Sequence, residues 1–331
     1  MKKKKYFEWW MERINTLTNL NPSPEEIFNK VKEKVPDAEK MIYQVDNPWS
    51  GIKLAIHAYY IDIYVTIAKK YFKEIYYVDA FAGSGIIAIK IRSDSEKIFF
   101  YGSPILSILV PQNKNVKFDK YFFIEVDENR ALILKKVIEV LHEHQIVNKD
   151  NVKILIKDMN KVPYKSLLRN CKHSLVFVDP EGLEPKWSTI SSILDLPTDV
   201  LFNFMTSGIR RIWGTVKSKG VGDEALNSFY GDDSWRIAEN DEDLLQIYKD
   251  KIEREFPRRI VTNVRVRGDK LFYYDILTIT RRTKRGSPWL IAINERLKPH
   301  VEQTDSETFT YLLEIFKGKL KLLPLYFRDI M

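Results

Sequence analysis

The chain has 331 residues, 44% of them apolar, and a single cysteine, Cys171. One cysteine excludes an internal disulfide and an internal zinc–cysteine cluster, and the absence of any run of about 18 apolar residues argues against a membrane span. The net charge of +8 permits a nucleic-acid partner, and the composition predicts a cytoplasmic protein.

Residues 1–50 predict an N-terminal helical arm. Two amphipathic stretches are separated by Asn21-Pro22-Ser23-Pro24. Ser23 followed by Pro24 is typical of a helix N-cap with proline at the first helical position. The basic residues 2–5 indicate a solvated tail more than a specific binding patch.

A long predicted helix leads into the first core strand. Apolar residues recur at helical spacing between Ser50 and Phe72, and Lys53 on this helix is a candidate to reach a ligand cleft. The aromatic and β-branched run 76–79 then predicts a buried strand. It opens into the small residues of 80–85, which allow a sharp turn and a close approach of the backbone to a ligand. Such a strand and turn are typical of the nucleotide site in doubly wound α/β folds.

Strands and helices alternate through the rest of the chain. Further core strands are predicted at 121–126, 152–156, 175–178 and 200–205, with helices at 103–109, 128–142 and 187–194. Residues 86–101 indicate a hairpin or an irregular insertion, and 207–258 a helical insertion. Late strands at 260–266 and 271–280 are followed by helices at 288–297 and 306–316. This alternation predicts an α/β fold with a parallel sheet between two layers of helices.

Four predicted strands end in carboxylates, namely Asp79, Glu125, Asp158 and Asp179. Ligands bind beyond the carboxyl ends of parallel strands, at the point where the strand order reverses. A nucleotide phosphate would favour basic residues there, and the sequence contains no P-loop motif. The acids therefore favour S-adenosylmethionine, which carries an ammonium and a sulfonium. An NAD-dependent enzyme is a weaker alternative, because the third glycine of its fingerprint is missing.

Each acid has a predicted role toward such a ligand. Glu125, with Asp127 as second choice, accepts hydrogen bonds from the ribose hydroxyls. Asp158 accepts a hydrogen bond from the adenine amine, and Asp79 lies under the amino-acid portion. The predicted cofactor-binding residues are Asp79, Phe81, Ala82, Gly83, Ser84, Gly85, Glu125, Val126, Asp127, Asp158 and Met159.

The methyl-acceptor side is predicted to follow the fourth core strand. Enzymes that methylate amines of nucleic acids carry an acid, amide or serine there, followed by Pro-Pro and an aromatic residue that stacks on a flipped base. This chain has Asp179-Pro180-Glu181-Gly182 and lacks the second proline and the aromatic residue. The predicted catalytic residues are Asp179, Pro180, Glu181 and Asn203, and Trp187, Phe204 and Trp213 are stacking candidates, with a core role favoured for Phe204. No metal site is predicted.

The sequence argues against a cytosine-C5 methyltransferase mechanism. That chemistry needs a cysteine nucleophile near the acceptor. Cys171 precedes the fourth strand and is expected at the far end of the sheet.

The order of these motifs resembles the three-Cys-motif partner family. The motifs are Asp79-Ala80-Phe81-Ala82-Gly83-Ser84-Gly85, Gly102-Ser103-Pro104, Ile124-Glu125, Asp158, Val178-Asp179-Pro180-Glu181-Gly182-Leu183, Phe202-Asn203-Phe204, Phe229-Tyr230-Gly231 and Tyr273-Tyr274. The resemblance covers roughly residues 50–297. Glu181 departs from the family pattern, in which many relatives have phenylalanine or a similar residue.

The resemblance implies a Rossmann-like class I methyltransferase fold, with a mostly parallel seven-stranded sheet and helices on both faces. It places this domain at residues 51–300, with the helical insertion inside it and a C-terminal helical extension at 301–331. It also implies S-adenosylmethionine as the cofactor and a partner protein bearing a three-cysteine motif.

Two functional hypotheses follow. The first is a methyltransferase that uses S-adenosylmethionine and acts on RNA or DNA with a partner protein. Basic runs at 210–211, 258–259, 265–270 and 281–285 are candidates to contact a phosphate backbone. The alternative is a non-catalytic binding subunit of a nucleic-acid-processing complex, which the incomplete motif after Asp179 motivates.

Overall fold

The computed structural model describes residues 2–45, 49–90, 97–268, 272–284 and 287–318. The strands are β1 (Tyr43–Val45), β2 (Ile75–Asp79), β3 (Ile86–Lys90), β4 (Lys97–Tyr101), β5 (Lys120–Glu125), β6 (Val152–Ile156), β7 (His173–Val178), β8 (Thr198–Phe204), β9 (Arg259–Arg267) and β10 (Tyr273–Arg281). The helices are α1 (Lys2–Thr18), α2 (Pro24–Lys34), α3 (Ala38–Met41), α4 (Trp49–Tyr71), α5 (Ser103–Gln112), α6 (Glu128–Glu143), α7 (Tyr164–Leu167), α8 (Trp187–Leu194), α9 (Thr206–Lys219), α10 (Asp223–Tyr230), α11 (Asp241–Glu255), α12 (Pro288–Val301) and α13 (Ser306–Phe316).

A seven-stranded sheet forms the centre of the molecule, in the order β6-β5-β2-β7-β8-β10-β9. β10 pairs antiparallel with both β8 and β9, whereas the other neighbours are parallel. This arrangement is the Rossmann-like class I methyltransferase fold that the sequence predicts. The strand order reverses between β2 and β7, so the crevice for a ligand lies beyond the carboxyl ends of these two strands.

The central strands are buried on both faces, and the sequence shows why. Every residue of β2, β7 and β8 is buried, and most residues of these strands are apolar or aromatic. The edge strand β6 is only partly buried. One apolar cluster lies on the side of α1, α4, α5 and α6, and a second lies under α8, α9, α10 and α11.

The first helices pack directly on the sheet domain. Trp10 of α1 is fully buried and meets Phe309 of α13 edge to face, with ring centroids 5.3 Å apart. α1 also packs on α4 and α12. The helices predicted for this segment are present, and their apolar faces are continuous with the main core.

A small second sheet contains β1, β3 and β4. β3 and β4 form an antiparallel hairpin, which is one of the two predictions for residues 86–101. Residues 91–96 lie outside the described residues. β1 pairs parallel with β3 and was not predicted. The hairpin begins after Gly85 and ends before Gly102, and the Gly102 N–H donates to the Gly85 carbonyl at 2.8 Å. The small sheet is thereby attached to the glycine turn.

The helical insertion is α9, α10 and α11, which cover one face of β8 and its neighbours. Among the helices that the structure describes, none is long and apolar enough to cross a membrane.

Candidate active site

A cleft of about 630 Å³ opens at the carboxyl edge of the sheet, beside the reversal of strand order. This volume lies within the range of about 300–1,000 Å³ that is usual for small-molecule sites. Most of the predicted site residues line it, namely Phe81, Ala82, Gly83, Ser84, Gly85, Glu125, Val126, Asp179, Pro180, Glu181 and Asn203. The structure thus brings the ends of β2, β5, β7 and β8 together, as the sequence predicts.

Glu125 at the end of β5 is fixed in the cleft by two backbone amides. Its Oε2 accepts a hydrogen bond from Gly83 N at 2.7 Å, and its Oε1 accepts one from Asp127 N at 2.9 Å. The side chain is only 6% exposed. Charge-assisted hydrogen bonds of this kind hold a carboxylate in one orientation. Each oxygen retains further lone-pair capacity, so Glu125 can accept two more hydrogen bonds from a diol.

The glycine turn needs its two glycines for different reasons. Gly83 has φ +61°, and no atom lies within 4 Å of the position that a Cβ would occupy, so its backbone faces open space in the cleft. Gly85 has φ +74°, and its Cβ would lie 2.7 Å from Leu134 Cδ1. Gly83 therefore leaves room for a ligand, whereas Gly85 lets α6 pack against the turn.

Asp79 supports the turn from behind the cleft wall and is fully buried. Its Oδ1 accepts a hydrogen bond from Phe81 N at 3.3 Å, and its Oδ2 accepts one from the Tyr77 hydroxyl at 3.1 Å. Burial raises the pKa of Asp79 to about 7, although a hydrogen bond from Ser103 opposes the rise. The Tyr77 hydroxyl also lies 2.8 Å from His57 Nε2, so α4 is linked to the turn through buried polar side chains.

Besides Asp79, three more predicted cofactor-binding residues lie outside the cleft lining. Asp127 caps α6 by accepting a hydrogen bond from Arg130 N at 2.8 Å. Asp158 Oδ1 accepts hydrogen bonds from Asn160 N and Nδ2, at 2.8 and 3.0 Å. Met159 is buried. Their contacts with a ribose or an adenine remain predictions.

A chain of three polar side chains forms the end of the cleft beside β7 and β8. Lys53 Nζ lies 2.6 Å from Asp179 Oδ2, and Asn203 Nδ2 donates to Asp179 Oδ1 at 2.8 Å. Asn203 is 2% exposed, and its Oδ1 has no hydrogen-bond partner among the described residues. The candidate Lys53 therefore reaches the cleft, and Asn203 contributes an unsatisfied acceptor to the cleft wall.

Glu181 occupies the outer part of the site. Its Oε1 lies 3.5 Å from Arg130 Nη1, and the Glu181 side chain is 64% exposed. The pair joins the loop after β7 to the first turn of α6. Because Glu181 is mostly in water, this ion pair adds little to stability.

The aromatic residues of the cleft are not those that the sequence suggests. Trp187, Phe204 and Trp213 are buried in the apolar core under α8–α11. Trp49 and Phe272 line the cleft instead, with ring centroids 4.4 Å apart and planes inclined by 30°. This pair was not predicted from the sequence, although Trp49 begins α4 and Phe272 directly precedes β10, two elements that border the site.

Two cationic residues in the predicted phosphate-binding runs have structural partners. Arg259 is buried and donates from Nε and Nη2 to the carbonyl oxygens of Leu194 and Leu196, at 3.1 and 2.7 Å. Arg265 Nη2 lies 3.0 Å from Asp275 Oδ2. Arg281 at the end of β10 is exposed, and residue 285 of the same run lies outside the described residues.

Cys171 lies away from the cleft. It precedes β7 at the amino end of that strand, is buried, and its Sγ donates to the His173 carbonyl at 2.8 Å. The cleft opens at the opposite edge of the sheet. This position agrees with the rejection of a cysteine nucleophile.

No family model and no curated protein matches the sequence. Among solved structures, the Legionella pneumophila protein LPL1258 is similar at 13% identity and a TM-score of 0.46, over 78% of this chain and 94% of that one. An O-methyltransferase from Bacillus cereus, in complex with SAH, has 13% identity and a TM-score of 0.40, over 77% and 91%. Trm1 from Pyrococcus horikoshii, with S-adenosyl-L-methionine, has 9% identity and a TM-score of 0.37, over 70% and 57%. Likenesses at this level identify no substrate and no cofactor for this chain.

Proposed function

We propose that this chain is an S-adenosylmethionine-dependent methyltransferase that acts on nucleic acid together with a partner protein. The main support for this cofactor is the position of Glu125, a nearly buried carboxylate that two backbone amides hold in the cleft beside Gly83. The partner with a three-cysteine motif rests on the order of sequence motifs alone.

The cleft fits the nucleoside part of this cofactor. The remaining acceptor capacity of Glu125 suits the two hydroxyls of a ribose. Val126, the next residue, lines the cleft and is 67% exposed. Ile156 lies opposite Glu125 on β6 and is 55% exposed. Two exposed aliphatic side chains beside the diol acceptor offer an apolar surface for an adenine ring.

The charge of the cleft favours a cation over a phosphate. Its described lining includes four carboxylates and two basic side chains, a balance of 2 − 4 = −2, from Glu125, Asp179, Glu181, Glu184, Lys53 and Arg130. Both basic side chains lie within 4 Å of a carboxylate. A dinucleotide pyrophosphate would meet net negative charge, whereas a ligand with an ammonium and a sulfonium is favoured.

Bound in this cleft, S-adenosylmethionine would supply an electrophilic methyl group on a sulfonium. Asp179, just after β7, and Asn203, on β8, lie at the end of the cleft beyond the glycine turn, across the reversal of strand order. Their role is to orient an acceptor, because displacement at a methyl group depends mainly on alignment of the two reactants.

Titration calorimetry tests the cofactor. We expect the wild-type protein to bind S-adenosylmethionine and not NAD, and Glu125→Ala to weaken binding by about tenfold or more, since two hydrogen bonds to a charged group are lost. Glu125→Gln keeps the side-chain shape and checks that the effect comes from charge. Glu33→Ala, at an exposed acid of α2, is the matched control. Absence of S-adenosylmethionine binding by the wild type would refute the proposal.

A non-catalytic binding subunit is the second candidate. It is favoured by the engagement of both Asp179 oxygens, because Lys53 and Asn203 already provide a donor to each of them before any methyl acceptor binds. Incubation with labelled S-adenosylmethionine and RNA or DNA separates the two functions. Label incorporation that disappears in Asp179→Ala would exclude the binding subunit.

A further inference from the structure

We infer that the acceptor is a planar amine, the exocyclic amine of a nucleobase, and that the side-chain oxygen of Asn203, and not Asp179, receives its hydrogen bond. The inference rests on the proposed methyltransferase function. It assigns to Lys53 and Asp179 the role of positioning residues that hold Asn203.

Asp179 is already engaged on both oxygens. Lys53 Nζ lies 2.6 Å from Oδ2 and Asn203 Nδ2 lies 2.8 Å from Oδ1. The ammonium balances the carboxylate charge in a setting where Lys53 is 20% and Asp179 16% exposed. Each Asp179 oxygen already accepts from one donor, whereas Asn203 Oδ1 accepts from none among the described residues, so the amide oxygen is the unsatisfied acceptor of the two side chains. The carboxylate is thus built to hold its neighbours.

Asn203 has the opposite arrangement. Its Nδ2 must face Asp179, because an amide oxygen would repel a carboxylate at this distance. Its Oδ1 is consequently the free end, and it has no partner among the described residues although the side chain is 2% exposed. Buried carbonyl oxygens are nearly always satisfied. Asn203 lines the cleft, so an N–H of a bound acceptor can supply the missing donor.

An amide oxygen accepts a hydrogen bond but does not take a proton, and this selects the acceptor chemistry. An amine attacks with its lone pair: the N–C bond forms, the C–S bond breaks, and sulfur keeps the electron pair. The methylated nitrogen then releases its proton to water. A hydroxyl is a poor nucleophile until a base removes its proton, and the group that this inference places against the acceptor, the amide oxygen of Asn203, is not a base. The site is therefore suited to an amine.

The aromatic pair favours a nucleobase over a lysine side chain. Trp49 and Phe272 line the same cleft and are half-buried, with centroids 4.4 Å apart. Gly268 supports the pair, because its Cβ would lie 2.6 Å from Phe272 Cδ1 and 3.1 Å from Trp49 Cε3. A flat base can stack on such rings, whereas an alkyl ammonium has no face to stack. The two residues take the place of the aromatic residue that is missing after Pro180.

The test uses labelled S-adenosylmethionine and mixed-sequence single-stranded RNA and DNA oligonucleotides. After digestion to nucleosides, mass spectrometry locates the methyl group. In one matched pool, hypoxanthine replaces adenine and guanine, which removes the exocyclic amines of the purines. In a second pool, uracil replaces cytosine, which removes the exocyclic amine of cytosine. We expect label on an exocyclic amine and its loss in the pool that lacks that amine. Label on a ribose or on a ring carbon would overturn the inference.

Failure of the inference and failure of the proposed function give different results. Cofactor binding without methyl transfer to any oligonucleotide overturns the inference and leaves the cofactor site standing. Absence of cofactor binding removes both.

Variants of Asn203 test its role directly. Asn203→Ala should lower kcat by about tenfold or more through loss of one hydrogen bond. The dissociation constant for S-adenosylmethionine should change by less than about twofold, because Asn203 lies away from Glu125. If the alanine variant does not fold, the same two measurements are made on Asn203→Ser. An unchanged kcat in a folded variant contradicts the assignment, as does equal activity of Lys53→Met and Lys53→Arg.

Discussion

Lys53 on α4 and Asp179 after β7 form an ion pair, with Nζ 2.6 Å from Oδ2. The two side chains are 20% and 16% exposed, so water screens the pair less than it screens an ion pair on the surface. Through this contact, the helix that precedes the central sheet is tied to the end of the cleft beside β7 and β8. The position of α4 therefore affects both the stability of the domain and the geometry of Asp179.

We expect Lys53→Met to lower the free energy of unfolding by about 1–2 kcal/mol, between the values for exposed and fully buried pairs. The carboxylate of Asp179 loses its cation and stays largely shielded from water. Lys114→Met is the matched control, because Lys114 lies 2.7 Å from Asp62 and is 47% exposed. Urea unfolding measures both variants. Equal losses of unfolding free energy in Lys53→Met and Lys114→Met would show that the shielding of Lys53 from water does not strengthen its ion pair.

Asp79 makes stability depend on pH. Its folded-state pKa is about 7, whereas the usual value of 3.8 applies to the unfolded chain. The folded state thus binds more protons between these values, and the stabilising contribution of protonated Asp79, complete below about pH 4, is lost as the pH rises through 7. We expect the urea midpoint of the wild type to fall across this window relative to that of Asp79→Asn.

The comparison with Asp79→Asn separates this effect from other carboxyls. Burial also raises the pKa of Asp199, to about 6, and Asp199 is present in both proteins. The difference between the two midpoints therefore isolates Asp79. Parallel midpoints from pH 4 to 8 would contradict a raised pKa at this position.

The two glycines of the turn should respond differently to alanine. At Gly83, alanine adds backbone strain of about 1 kcal/mol with no steric clash. At Gly85, the same strain is joined by a Cβ 2.7 Å from Leu134 Cδ1, so we expect a loss of about 2–4 kcal/mol. Thermal unfolding tests the order of the two variants. A Gly83→Ala protein less stable than Gly85→Ala would disprove this account of the turn.

Arg259 fastens β9 to the loop before β8. Its guanidinium is buried and donates to the carbonyl oxygens of Leu194 and Leu196. Arg259→Lys removes the planar fork and leaves carbonyl oxygens without donors, so we expect a loss of about 2 kcal/mol. Arg258→Lys, at the exposed neighbouring position, should be close to neutral. Unfolding in guanidinium chloride measures the free energy of unfolding of both variants. Equal stability of the two would mean that Arg259 acts only as a surface cation.

Most helices and core strands could be predicted because their signals are local. Buried strands such as β7 contain an uninterrupted apolar run, here residues 175–178, and helices such as α8 follow a helical period and a change in composition. The strand β1 could not be found this way. It has three residues and exists through backbone pairing with β3, which no side-chain pattern records.

The same distinction between local signals and long-range contacts applies to the candidate active site. Glu125 and Asp179 were predicted from their positions at strand ends, because parallel strands bring their carboxyl ends to one edge whatever the details of packing. Asp79 also follows this rule, but the structure places it behind the turn, since its hydrogen bonds to Tyr77 and Phe81 direct the carboxylate into the core.

The sequence by itself determined the α/β layering, the glycine turn and the acids around it, because these depend on residue patterns within single segments. Only the tertiary structure decided that Lys53 pairs with Asp179, that Asn203 keeps a free oxygen, and that Trp49 meets Phe272 in the cleft. Those contacts join segments far apart in the chain. They depend on how α4 and β10 pack against the sheet, and periodicity and composition carry no information about that packing.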